Sequence, residues 1–221
     1  MLKKIFTKQI SSFLPKSFKR FSAINNLESS LTNEIKFEEQ EYKEINPEEI
    51  GVFKKNTGFE FVDYPNNARL ELKKTVKDSV VTVCYHARAP FPQEEESGNQ
   101  ENEQEHGNVT DFQVIIQKSG KTSGFIVDAV VMNSNININH IYVADNVNEF
   151  HSKYLEGKID NDLYQGPDFS TLDETLQTAF LDYLNEIGIN DETAAFIEVT
   201  SLDKDQRLYV NWLKKCKNLL L

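Results

Sequence analysis

Cys84 and Cys216 are the only thiols in this sequence, and His86, His106, His140 and His151 are its only imidazoles. Nucleophilic or metal chemistry would have to draw on these six side chains. Two cysteines cannot build a disulfide framework, no CxxC is present, and a reducing compartment would leave both as thiols. None of the histidines stands at metal-ligand spacing from a cysteine, so no zinc site is expected from residue order. Ser-His-Asp and Cys-His sets can always be assembled on paper. The local patterns that would give them meaning, a nucleophile elbow, a Walker loop, a Rossmann glycine fingerprint or HExxH, do not occur. His86 ends the alternating run Val81-Thr-Val-Cys-Tyr-His and reads as a strand-face residue. No catalytic residue, cofactor or metal ligand is assigned on these grounds, and the chain is not read as an enzyme.

The abundant chemistry is carboxylate. Glu94, Glu95, Glu96, Glu101, Glu103 and Glu105 follow Pro90 and Pro92 among Gly, Asn and Gln, with no Lys or Arg between Arg88 and Lys118. Residues 90–108 therefore read as a disordered acidic loop. Three readings of it stand side by side: a docking segment for basic ligands, a weak cation site and a solvated insertion. A specific calcium site is unsupported, because no Asp-x-Asp-x-Asp-Gly loop is present.

The N-terminus has the opposite composition. Residues 1–22 hold Lys3, Lys4, Lys8, Lys16, Lys19 and Arg20 with no acid, together with five Ser or Thr hydroxyls. Ile5, Phe6, Ile10, Phe13, Leu14, Phe18 and Phe21 repeat at helical spacing, interrupted at Pro15, the signature of an amphipathic mitochondrial presequence rather than a secretory core. A basic arm kept for nucleic-acid or membrane contact is the other reading. All 35 Asp+Glu lie beyond residue 22 against 24 − 6 = 18 Lys+Arg, so the chain after such a presequence carries −17. A field of that sign repels nucleic-acid phosphate and attracts basic proteins. No apolar run approaches the roughly 20 residues of a membrane span.

The elements that would position these groups follow from periodicity. Leu27, Leu31, Ile35, Tyr42 and Ile45 predict an amphipathic first helix, capped by Asn25 or Asn26 and ended near Asn46-Pro47. Its other face carries Glu28, Glu34, Glu39, Glu41 and Glu44. Strands are predicted at 58–63, 68–75, 78–87, 110–118, 123–132, 136–144 and, weakly, 150–155, with a hairpin turn at Ser119–Ser123. Short connections and no interleaved helices imply one antiparallel sheet. Ser170-x-x-Asp173 predicts the start of a helix stopped by Gly188, and Asn190 or Asp191 starts a last helix that places Tyr209 and Trp212 in the core.

Tyr164-Gln-Gly-Pro-Asp-Phe-Ser-Thr-Leu-Asp-Glu-Thr-Leu-Gln, Phe180-Leu-Asp-Tyr-Leu, Gly188-Ile189 and Gln206-Arg-Leu-Tyr-Val-Asn-Trp-Leu-Lys-Lys appear in order. With the Gly58-Phe-Glu-Phe strand, the Lys74 to Val83 hairpin region and the acidic insertion after Pro90, this set resembles the mitochondrial acidic matrix protein family over residues 24–221. The resemblance implies an α+β fold: a long N-terminal helix, a seven-stranded, highly twisted antiparallel sheet, and two C-terminal helices. It also implies that the first and last helices pack as a coiled coil, within a doughnut-shaped homotrimer. Residues 23–221 would then be one acidic domain in the mitochondrial matrix.

The function implied is a binding or chaperone-like adaptor for basic mitochondrial proteins, ribosomal ones included, that supports ribosome assembly, translation and oxidative phosphorylation. Direct nucleic-acid contact is not expected. The other reading is a stable structural subunit of a larger mitochondrial assembly.

Overall fold

The computed structural model describes residues 16–65, 67–87, 109–156, 158 and 164–220. Six strands follow one another: β1 (Glu60–Asp63), β2 (Arg69–Val76), β3 (Ser79–His86), β4 (Val109–Lys118), β5 (Gly124–Met132) and β6 (Asn135–Ala144). Each pairs antiparallel with the next, in the order β1-β2-β3-β4-β5-β6. Two of the links in this meander are tight turns. The β2/β3 turn holds Lys77 at φ 52°, and the β5/β6 turn holds Asn133 and Ser134 at 52° and 59°. These are the left-handed turn conformations that match the twist of paired strands. Gly120, at φ 78°, sits in the expected Ser119–Ser123 turn.

Alternation divides the sheet into two faces. Leu70, Leu72, Val81, Val83, Tyr85, Phe112, Val114, Val127, Ala129 and Val131 lie on one face, all essentially without solvent exposure. They pack with Phe53 and Phe59, with Leu184, Ile187 and Ile189, and with Ala194 and Ile197. Covering elements on this side are α2 (Pro47–Thr57), the end of α4 (Glu174–Glu186) and the first turns of α5 (Asp191–Asn218). Lys204 of α5, fully buried, is held by an ion pair with Asp63 and donates to the Tyr64 carbonyl at 2.8 Å. On the opposite face Cys84, Ile115, Ile126, Tyr142 and Ala144 pack against Val147 and Phe150 of α3 (Val147–Leu155).

Among the described residues the sheet has six strands, not the seven expected, because residues 150–155 belong to helix α3. Asn146 caps that helix by accepting from the Glu149 N–H at 3.2 Å. Val147, Phe150 and Tyr154 then recur at helical rather than alternating spacing, with Val147 and Phe150 buried. A second correction concerns the first helix. α1 runs Lys16–Glu41, passing through Asn25 and Asn26 without a cap, and α2 is a separate helix over residues for which no element is predicted. Asn46 accepts from the Glu48 N–H, Pro47 takes the first helical position, and Gly58 ends α2 at φ 75°. Likewise Asp173, not Ser170, caps α4 by accepting from the Thr175 N–H. α5 begins where expected, with Asn190 Oδ1 accepting from the Thr193 N–H.

The chain divides into two compact units, Glu44–Gln206 and a helical one made of α1 and α5 from Arg207 onward. In the helical unit, Glu39 pairs with Lys214 at 2.6 Å, Tyr209 donates to Glu34 at 3.0 Å, and Leu31 and Leu213 are buried. The first and last helices are thus paired. Trp212, expected in the core, is 56% exposed and stacks on Tyr209. Leu213 takes the inward position, and one residue turns a helix by about 100°.

Candidate functional site

β2 reads Arg69-Leu-Glu-Leu-Lys, so burying Leu70 and Leu72 on one face commits Arg69, Glu71 and Lys73 to the other. Register then aligns a row of polar and ionisable residues across the sheet. Glu71 opposes Cys84, Cys84 opposes Gln113, Gln113 opposes Asp128 and Asp128 opposes His140. The bulge at Asp128/Ala129 lets β6 reach this row while Ile138 and Ile141 still pack with the apolar core. α3, anchored by Val147 and Phe150, brings His151 and Tyr154 over β2 and β3.

Glu71 is the centre of the cluster, with no side-chain exposure. Its Oε2 accepts from Tyr64 at 3.0 Å and pairs with Lys73 at 2.5 Å. Its Oε1 lies 3.2 Å from His151 Nε2 and 3.5 Å from Arg69 Nε. Arg69 also lies over the Tyr64 ring, 3.9 Å from its centre. His151 Nε2 stands 3.4 Å from Cys84 Sγ. Burial alone would push the Glu71 carboxyl up. Hydrogen bonds from His151, Lys73 and Tyr64, with the Lys73 charge, outweigh burial and hold it at about 2. Lys73 is raised in turn, since Glu71's hydrogen bond and charge overcome its own burial.

Burial pushes the Cys84 thiol up to about 12, and the Glu71 carboxylate adds to that shift. A thiol so placed is protonated at neutral pH, so the Cys84/His151 contact is not an activated nucleophile. His86 is a strand-face residue, as expected, with Nδ1 3.4 Å from the Tyr154 hydroxyl. Burial, followed by the Arg69 charge, lowers its pKa. His140 Nδ1 stands 3.1 Å from the Pro167 carbonyl oxygen.

The six glutamates offered as a docking segment, Glu94, Glu95, Glu96, Glu101, Glu103 and Glu105, lie outside the described residues, as do His106 and residues 1–15 of the expected presequence. The Glu71, Cys84 and His151 cluster is what sequence spacing missed. These residues come from β2, β3 and α3 and are 13 and 67 positions apart. The available signal was a glutamate between two leucines that alternation buries.

The chain is similar to known proteins in both sequence and shape. It is 30% identical over 138 residues to the mitochondrial acidic protein mam33 of Schizosaccharomyces pombe, covering 59% of this chain; it spans about half of that relative, 51%. In shape it matches a Leishmania major protein of unknown function described as a sequence homologue of human p32, with a TM-score of 0.68 at 19% identity. That match covers 90% of this chain and 99% of the other. The Trypanosoma brucei p22 protein matches with a TM-score of 0.65 at 19% identity, over 90% of this chain and all of p22. These two likenesses establish the α+β fold around an antiparallel sheet. The family model described as mitochondrial glycoprotein, MAM33, matches residues 31–220, and on that match the chain belongs to this family of mitochondrial proteins.

Proposed function

We propose that the protein is a non-catalytic, acidic adaptor of the mitochondrial matrix, imported through residues 1–22, that captures basic proteins. The observation that carries this reading is the excess of 35 Asp+Glu over 24 − 6 = 18 Lys+Arg beyond residue 22. Described parts of that acid face solvent: Glu34, Glu39 and Glu41 on α1, Glu44 before α2, and Glu48 and Glu49 on it are exposed. Such a surface attracts basic proteins and steers their association. Basic mitochondrial proteins, ribosomal ones among them, are the matching partners, and the roles served would be ribosome assembly, translation and oxidative phosphorylation. The S. pombe relative is itself an acidic mitochondrial protein by name.

Self-association fits the same reading. Ile24, Leu27 and Phe37 of α1 and Trp212 of α5 are each more than 40% exposed, apolar surface of a kind that marks interfaces. A homotrimer would cover it and present three acidic surfaces at once, adding avidity without a deep pocket. That exposed stripe equally suits a permanent structural subunit of a larger assembly. Gradient sedimentation of mitochondrial extract after a high-salt wash separates the two: an adaptor leaves the assembly and a subunit stays.

The test of the acidic mechanism is a salt titration of binding to a basic matrix protein. Replacing Glu94, Glu95, Glu96, Glu101, Glu103 and Glu105 together with Gln should weaken capture in part, mainly through slower association, and leave folding intact. Identical affinities and salt slopes would show the loop to be a solvated insertion. Salt-independent binding by both proteins would end the adaptor mechanism.

A further inference from the structure

We propose that Glu71, Cys84 and His151 bind a single divalent transition-metal ion of the zinc class, tying α3 to β2 and β3. One carboxylate oxygen, one sulfur and one imidazole nitrogen from these residues lie within 4.8 Å of one another. This mixed O, S and N set is what borderline ions such as Zn2+ and Co2+ take. Two of the three ligand-to-ligand distances match a coordination tetrahedron. Bonds of about 2.3 Å to sulfur and about 2.0 Å to nitrogen and oxygen place S and N about 3.5 Å apart and N and O about 3.3 Å apart. The structure has 3.4 Å from Cys84 Sγ to His151 Nε2 and 3.2 Å from His151 Nε2 to Glu71 Oε1.

One imidazole nitrogen, His151 Nε2, faces both the Cys84 sulfur and the Glu71 carboxylate. A ring nitrogen carries one proton or one lone pair, never both. If Nε2 donates to Glu71, the buried thiol faces an N–H it can meet only as a weak acceptor. If Nε2 accepts from the thiol, its lone pair points at a carboxylate oxygen. An ion at the centre satisfies all three, and the thiol proton leaves to solvent as the sulfur–metal bond forms.

The surroundings fit as well. Tyr64 and Lys73 hold Glu71 Oε2, while Oε1 faces His151 with Arg69 Nε 3.5 Å away, an arrangement in which outer partners orient a monodentate ligand. Gln113, directly opposite Cys84, is 8% exposed, and its Oε1 has no hydrogen-bond partner among the described residues. Its amide nitrogen is engaged by Asp128. A buried oxygen beside Cys84 is therefore left wanting a donor, such as a water on an open fourth position.

The experiment is Co2+ titration of the full chain, stripped by chelator and kept reduced. One Co2+ per chain should bind, giving thiolate-to-cobalt charge-transfer absorption that an equivalent of Zn2+ removes. Cys84→Ser should abolish that absorption while Cys216→Ser keeps it. His151 is a quarter exposed, so His151→Ala should keep the fold; its affinity should fall by more than the roughly 10–100-fold that loss of an outer-shell partner costs. Metal-free melting of each variant separates a lost ligand from a lost fold, and His151→Gln replaces the alanine variant if that does not fold. Wild type without the charge-transfer band overturns the proposal, as does a band that follows Cys216 or persists at unchanged affinity without His151.

Discussion

On one face of the sheet Leu70, Leu72, Val83, Phe112 and Val127 are sealed against helices. One residue along each strand, the other face reads Glu71, Cys84, Gln113, Asp128 and His140. The same backbone serves both, because a strand turns alternate side chains to opposite sides. The faces differ in how they are stabilised. The apolar face gains from area removed from water. In the polar face, burial is tolerated only where partners exist, so removing one group leaves another unpaired. Apolar packing therefore carries the fold, while the polar row concentrates the chemistry at one place under α3.

Three substitutions sharpen or break this contrast. Phe112→Ala, at a ring 1% exposed, should cost about 3–5 kcal/mol of unfolding free energy, read by denaturant melts. A loss below about 1 kcal/mol would mean the apolar face is not the one that holds the fold.

Glu71 comes next and should show itself through pH in the metal-free protein. Its folded pKa of about 2 lies below the ordinary 4.5, so its contribution is present above pH 4.5 and lost as pH falls toward 2. That difference corresponds to about 3 kcal/mol, and Glu71→Gln should remove this part of the acid sensitivity. Equal slopes of stability against pH in the two proteins over that range would show that the carboxylate is not held as described.

Trp212→Ala should have the smallest effect on chain stability, within about 1 kcal/mol, because the indole is largely exposed. Sedimentation should instead show its effect on self-association. A large stability loss with unchanged mass would put Trp212 back in the core, against the surface role given to it here.

Much of the fold was legible in local pattern. Six strands were readable because β-branched alternation and turn residues such as Ser119-Gly120 act within a few positions. Gly188 and Asn190 likewise marked helix ends through backbone geometry that needs no distant partner. The misreadings fell where two patterns compete. Phe150 to Leu155 is short and apolar enough for a strand, and the Asn146 cap decides for helix. At residues 47–57 the Asn46-Pro47 pair suits the end of one helix as well as the start of the next, and the Asn46 cap on the Glu48 N–H decides for a start. Trp212 and Leu213 both suit a core, and only packing against a particular neighbour chooses Leu213.

The sequence by itself determined the acidity, the family and most of the elements, since charge, motif order and periodicity are local or additive properties of the chain. The tertiary structure alone decided that Glu71, Cys84 and His151 meet. Their meeting depends on the β2/β3 register, and on the angle at which α3 crosses the sheet once Val147 and Phe150 are buried. A one-residue slip in that register would turn Cys84 to the apolar face.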